Sequence, residues 1–506
     1  MEGKTRKTDG RTKKERWKTR AIIVLVIFAV YFSLLLIQSQ IWKTNSLSFF
    51  IWDNFSAIIN DTEQNSAAER AGTQVFDLFQ PQYFAVTRSD GSRDVFRGHS
   101  ELYRELKPLL RTLTDSLYKG KAAPVTIETD KQRGKWYESL QTDSIYAKLP
   151  SRVDTQVYTQ MLGLENSDIC KELSGYQEMS VSVEGGKVIL YFFDESANRV
   201  VSFHTALDGM EVQSVIDNAV RIVAKNYVFA FETDKSEVTD SPSEVFLSTN
   251  AKLRDTMLIP AVTVSTPQLI VRTPEVTERM DFRQKVFDLF GYHTSNIRQY
   301  TDENGVQVFV DEYSTLKIHA DGFVEYKANE PKYGLALMGE QKPTKTNVRF
   351  QSLIGVERIA LRLMEISGIG IDDGVYSLAL RELTGGESAE DSVKLRLEYC
   401  FEGRPIDFES PEGGRRSAVS AVVSQGKLAQ MSCYLKELSA VEESSYFSSE
   451  WELTPNESLF NAIERYNADV GDIQQIQDGY LYYPVPYAGT QVHTVWKIET
   501  LQLKTN

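Results

Sequence analysis

Two stretches match S-x-x-K, the spacing in which a lysine activates a serine nucleophile: Ser116-Leu117-Tyr118-Lys119 and Ser424-Gln425-Gly426-Lys427. That chemistry needs the serine at the start of a helix, with S-D-N and K-T-G motifs supplying the rest of the site. The surrounding pattern puts Ser116 at a helix end and Ser424 in a hairpin turn, and neither partner motif occurs. Gly185-Gly186-Lys187 lacks the upstream glycine and the following Ser/Thr of a phosphate-binding loop, and it too falls in a hairpin. G-x-S-x-G and H-E-x-x-H are absent. The five histidines, His99, His204, His293, His319 and His493, stand far apart, and none is in metal-ligand spacing with a cysteine or another histidine. Asp302, Asn304 and Gly305 resemble the start of a calcium loop, but the glycine comes too early and no glutamate closes the loop at the required distance. These residues, and Asp372-Asp373 before Gly374, read as turns. Two carboxylates flanking a glycosidic bond could come from distant segments, and no pair stands out. The expectation is a chain with no catalytic residues, no cofactor and no metal.

What remains is charge and hydropathy. Residues 1–20 hold nine Lys/Arg against three acidic residues. From Ala21 to Ile37 no residue is charged, and the uncharged stretch runs on to Trp42. About twenty residues of helix cross a hydrocarbon core of about 30 Å, and a helix is the single-segment structure that satisfies its own backbone in lipid. The basic flank before the span places the N-terminus in the cytoplasm. A cleaved signal peptide fits less well, because the apolar run is too long and its exit, IQSQIW, has no small-residue site. Within the span, Ala29 and Ser33 form a small-xxx-small pair that permits close helix approach, and Phe28, Ala29, Ser33 and Leu36 are the candidate partner-binding residues. Trp42 sits where an interfacial aromatic belongs.

Beyond the basic arm, 47 Lys/Arg face 67 Asp/Glu. That balance argues against nucleic acid, and against anionic lipid or teichoic acid as the main target. Three cysteines are too few for a disulfide scaffold, so folding rests on apolar burial, for which 24 Tyr and 25 Phe supply material. Cys400 and Cys433 either pair or stand as ordinary strand residues.

The expected fold class is α+β: an N-terminal transmembrane helix and a multi-domain ectodomain of antiparallel sheets with flanking helices. The expected boundaries are a cytoplasmic arm (1–20), the membrane helix (21–42), a stalk (43–80), a mixed α/β domain (81–250), a helix-plus-hairpins domain (251–350) and a helix-plus-antiparallel-sheet domain (351–506). YFAVT and RDVFR flank the turn SDGS, and Ser100 opens a leucine-faced helix that Pro108 should kink or split. Strands follow at PVTIE, SIYAKLP, EMSVSV, KVILYFF, RVVSFHT and YVFAFE, with helices at KQRGKWYESL and Val212–Val223. Asp281 should cap FRQKVFDLF, with Gly291 ending that helix. Turns at Asn304-Gly305 and Asp321-Gly322 imply successive hairpins. A helix near Ser352 closes at Gly368; VKLRLEYCF, SAVSAVV and KLAQMSCYL alternate as strands; Thr454-Pro455-Asn456-Glu457 reads as a capping box; and DGYLYYPVP and TQVHTVWKIET close the chain as strands.

Asp288-Leu289-Phe290-Gly291, Val308-Phe309-Val310, Leu316-Lys317-Ile318 and Asp321-Gly322-Phe323-Val324-Glu325-Tyr326 follow one another in the second half of the chain. In this layout they resemble the YycH/YycI regulators of Gram-positive bacteria. The ending, Tyr480 to Tyr483 followed by Val495-Trp496-Lys497-Ile498, is similar to the closing strands of YycI-type domains, while the hairpin and helix from Phe79 to Leu113 look like the start of a YycH first domain. The resemblance implies a single-pass cell-membrane protein with its bulk outside. It implies partners in the bilayer, through residues 21–42, in a WalK (YycG)-type sensor histidine kinase governing cell-wall metabolism, and in a related YycH/YycI-type protein. It supplies no catalytic residues. Without it, a scaffold or binding module of envelope assembly and a wall-polymer-acting enzyme stand as the rival classes.

Overall fold

The computed structural model describes residues 76–500, apart from 99, 122–123, 131–132, 195–196, 220–226, 234–255, 261–263, 267, 278, 294–296, 338–346, 370–375, 389–390, 412, 441–450, 454–475, 487–490 and 493–494. The arm, the apolar span with Phe28, Ala29, Ser33 and Leu36, most of the stalk, Asp372-Asp373 and the capping box at Thr454 lie outside the described residues. Among the described residues no helix is long and apolar enough to cross a membrane.

The architecture is mixed α+β and dominated by antiparallel sheets. The first sheet has seven strands: β1 (Tyr83–Thr87), β2 (Arg93–Phe96), β3 (Pro124–Asp130), β4 (Ser144–Asp154), β5 (Gly175–Glu184), β6 (Lys187–Asp194) and β7 (Arg199–Asp208), in the order β2-β1-β4-β5-β6-β7-β3. Helix α1 (Glu101–Tyr118) lays Leu106, Leu110, Leu113 and Leu117 on the side that carries Phe84, Ile145, Val181, Leu190 and Phe203. The other side carries Tyr146, Tyr191 and Phe193 and is covered by Trp136 and Leu140 of α2 (Gly134–Gln141). With both faces covered, β4 and β6 are buried almost end to end, which is why they read as near-continuous apolar runs.

Ser100 caps α1 by accepting from the Tyr103 amide. Pro108 does not split the helix, which runs unbroken from Glu101 to Tyr118. One missing backbone bond is outweighed by the buried leucine face. After β7 come α5 (Met210–Asn218) and, in place of one strand at YVFAFE, a short strand Tyr227–Phe229 that turns into helix α6 (Ala230–Thr233). Arg93 holds that turn to the sheet, donating to Glu232 at 2.7 Å and stacking over the Phe229 ring at 4.1 Å. Between α2 and α5 lie α3 (Thr155–Met161) and α4 (Ile169–Glu172).

The second sheet has thirteen strands: β8 (Arg298–Thr301), β9 (Gln307–Val310), β10 (Ser314–Ile318), β11 (Phe323–Ala328), β12 (Leu335–Ala336), β13 (Tyr376–Gly385), β14 (Ser392–Phe401), β15 (Arg404–Glu409), β16 (Arg415–Arg416), β17 (Val419–Ser424), β18 (Lys427–Tyr434), β19 (Ile476–Val485) and β20 (Val495–Thr500). The path is β8-β9-β10-β11-β18-β17-β14-β15-β19-β20, with β12 beside β18, β13 beside β14 and β16 beside β15. Among the described residues only β15 and β19 pair in parallel. Strands from 298–336 and from 376–500 therefore share one hydrogen-bonded surface.

Helices α7 (Met280–Phe290) and α8 (Val348–Ser367) cover one face of this sheet. Gly291 and Gly368 end them in the left-handed conformation. Asp281 is not the cap of α7: Arg279 holds that position, and Asp281 sits inside the first turn, paired with Arg279 at 2.9 Å. An acidic side chain is favoured in a first turn as well as at a cap. The hairpins at Asn304-Gly305, Asp321-Gly322 and Gln425-Gly426 form where the turn residues predict them. Cys400 and Cys433 are separate, buried thiols. They stand on β14 and β18 with β17 between them, and two strand spacings of about 4.8 Å exceed the Cα separation a disulfide tolerates.

Candidate interaction surface

The residues that suggested chemistry are kept apart or put to structural use. Ser116 lies in the last turn of α1, and Ser424 is the final residue of β17. One oxygen of Asp302 accepts from the Asn304 and Val306 amides, both at 2.9 Å, so that carboxylate holds the turn. Gly185 and Gly186 form the β5–β6 turn. His319 meets Glu325 at 3.0 Å, and His204 lies 3.8 Å from Glu128. Among the described residues no three His, Cys, Asp or Glu side chains converge to hold a metal.

A cavity of about 60 Å³ opens between α1, β4 and α3, walled by Phe79, Leu110, Leu149, Tyr158, Tyr176 and Met179, with Lys107 and Arg111 in its lining. Among the described residues no carboxylate lines it. Beside it, Asp115 accepts from the Tyr158 hydroxyl at 2.9 Å. Burial raises the Asp115 carboxyl above its ordinary range, and the Tyr158 hydrogen bond offsets part of that shift. The space suits a few waters or a small apolar group and is far too small for a glycan strand.

Polar contacts tie the two sheets together. Arg349 of α8 meets Asp154 at 2.7 Å, and Arg381 of β13 donates to the Pro150 carbonyl at 3.2 Å. Gly403, in the β14–β15 turn, comes so close that a Cβ there would stand 1.9 Å from the Gln82 carbonyl oxygen. The guanidinium of Arg97 donates to that same carbonyl and lies over the Tyr83 ring. Burial, with the nearby charge of Arg404, lowers its pKa to about 10.

The sequence segments that carry the family resemblance also come together. Phe290 of α7 stacks on Tyr326 of β11 with centroids 4.9 Å apart, and Phe287 meets Phe309 of β9 edge-on at 4.8 Å. The motif is therefore the packing core of one helix on its sheet. The fold is YycH-like. The crystal structure of YycH from Bacillus subtilis matches 84% of this chain and 95% of that one, with a TM-score of 0.50 and 9% sequence identity. No family model matches the sequence, and no curated protein matches it. At that identity the likeness is one of fold.

In this YycH-like fold the surface offers binding features. The sheet face opposite α7 and α8 carries Lys394 and Arg396 of β14, Ser420 and Val422 of β17, and Gln430 and Ser432 of β18. At its end, β8 is exposed at all four residues and pairs on one side only among the described residues. Tyr300 on that strand is 54% exposed, far more than an aromatic on a covered sheet. Sequence reasoning missed both this face and the seam between the sheets. The only signal available was alternation, which marks outward positions without saying which strands adjoin.

Proposed function

We propose that the protein is a membrane-anchored, extracytoplasmic and non-enzymatic regulator of a two-component sensor histidine kinase that controls cell-wall metabolism. The observation that carries this reading is the YycH-like fold over 84% of the chain, following an apolar, basic-flanked N-terminal span. The span at residues 21–42 anchors the chain with its N-terminus in the cytoplasm, and it packs beside kinase helices through the face of Phe28, Ala29, Ser33 and Leu36. The ectodomain, together with a related YycH/YycI-type protein, biases the kinase between two states. A partner achieves this only by binding the two states with different affinity, a coupling of about 1–3 kcal/mol.

Co-purification of the full chain from detergent tests the proposal. A sensor kinase should accompany it, and deletion of its gene should change wall-regulon expression. If no kinase is recovered and the regulon is unmoved, the proposal fails. The exposed edge of β8 favours a second reading, a scaffold of envelope assembly that binds by strand addition. That reading predicts recovery of wall-assembly proteins in place of a kinase.

A further inference from the structure

The open face of the second sheet carries a row of cations that the rest of the fold leaves unused. Cross-strand pairing aligns Arg298, Val310, Thr315, Lys327, Gln430, Val422, Lys394 and Thr384 in one line across β8, β9, β10, β11, β18, β17, β14 and β13. Directly opposed residues in antiparallel strands project to the same side, so this line is a physical row on one face. Arg298, Lys327 and Lys394 are exposed. None of them holds an ion pair or a side-chain hydrogen bond among the described residues. The carboxylates around them are engaged elsewhere: Glu325 with Lys317 and His319, Glu382 with Arg396, and Glu330 with Lys332. Asp311 accepts from the amides of its own turn, and Glu312 lies against the Tyr313 hydroxyl. Three unpaired cations in register stand out on a chain whose net charge is −14.

We infer that this row is a docking site for an extended acidic segment of a partner polypeptide. Successive cations are three strand steps apart, about 14 Å at the usual spacing, so the row runs for about 29 Å. Over three steps the sheet twist turns the surface normal by roughly 60–75°. A planar bilayer or a straight helix therefore meets one cation well and turns away from the next. An extended chain follows the twist. In such a chain, residues four apart are about 13–14 Å from each other on the same side, so acidic residues at i, i+4 and i+8 match the row. Thr315 and Gln430, between the cations, offer hydrogen-bonding groups to the main chain of the docked segment.

The test titrates the full-length protein, in neutral detergent, into a fluorescein-labelled twelve-residue peptide with glutamate at every fourth position. Saturable anisotropy change that weakens with salt is expected. The triple variant Arg298→Glu/Lys327→Glu/Lys394→Glu should bind at least tenfold more weakly. A charge-matched control, Lys171→Glu/Lys187→Glu/Lys285→Glu, should bind like the parent. Circular dichroism monitors folding, and Arg298→Gln/Lys327→Gln/Lys394→Gln replaces the first variant if it unfolds. Equal loss in the control, or equal affinity for a peptide with its three glutamates contiguous, overturns the proposal. So does a row variant that loses binding to phosphatidylglycerol vesicles but keeps the peptide, or one that alters only self-association in sedimentation. The peptide assay contains no kinase, so its outcome is separate from that of the co-purification.

Discussion

Asp154 and Arg349 meet at 2.7 Å although 195 positions separate them in the chain. The other carboxylate oxygen of Asp154 caps α3, accepting from the Gln156 and Val157 amides. Arg349 is fixed in turn, donating from Nε to the Gly385 carbonyl at 2.6 Å. One carboxylate thus starts a helix of the first region and ties it to α8 over the second sheet.

Substitution at Asp154 separates those two roles. Asp154→Ala loses the cap and the ion pair, with an expected cost of about 2–3 kcal/mol. Asp154→Asn keeps a capping oxygen and loses only the charge, at about 1 kcal/mol. Urea denaturation gives both values, and equal losses would mean that the cap contributes nothing.

Gly403 is held at φ +71° against the Gln82 carbonyl, whereas Gly413, at φ +84°, has open space where a Cβ would stand. Gly413→Ala should cost about 1 kcal/mol, the backbone term alone. Gly403→Ala adds a clash with main-chain atoms and should cost more than about 2 kcal/mol. Thermal melts of the two variants compare them, and similar melting temperatures would refute the close approach.

The Asp115 carboxyl is raised in the folded protein, chiefly by burial. Folding therefore favours its protonated form. The associated stability is fully present below the unfolded pKa of about 3.9 and is lost as pH rises through the folded value. At pH 7 the charged group opposes folding. Asp115→Asn, which leaves an acceptor for Tyr158, should be as stable as the parent or more so at pH 7, and should lose that advantage on acidification. A variant less stable by the same margin at both ends of the titration would contradict this.

Burial pushes the Cys433 thiol up to about 12 and the Cys400 thiol further, so neither presents thiolate at neutral pH. Cys170 is half-buried, beside the Thr159 hydroxyl at 3.3 Å. A thiol reagent should label Cys170 first in the native protein. All three thiols should react in guanidinium without reductant; a count of one there would reveal a disulfide.

Exchanging Ala29 and Ser33 for leucine tests the span as a working surface. The double variant should still insert in the membrane and should recover less kinase in co-purification. Unchanged kinase recovery would reduce the span to a plain anchor.

Local chemistry made much of this fold legible. The Ser100 cap, the Gly291 and Gly368 stops and the Asn304-Gly305 and Asp321-Gly322 turns all act within a few residues of themselves, and the structure places them as expected. Where local rules misjudged, burial had outweighed propensity. Pro108 stays inside α1 because four leucines of that helix are buried, and YVFAFE leaves its strand after Phe229, where the helical turn brings Glu232 to the buried Arg93.

The sequence puts Ser116 at a helix end and Ser424 at a hairpin turn, and the structure places them in the last turn of α1 and at the end of β17. The row of Arg298, Lys327 and Lys394 could not be read from the sequence. Alternation identifies each residue as outward-facing, but the row exists only because β11 pairs with β18, Glu325 lying opposite Ser432. That pairing joins segments more than a hundred positions apart. Period, caps and turns act over a few residues, so the sequence alone determined the elements. Any apolar strand face could in principle pack against any other, so which strands adjoin, and hence where Asp154 finds Arg349 and where the cations align, was decided by how the helices and sheets close over a shared core.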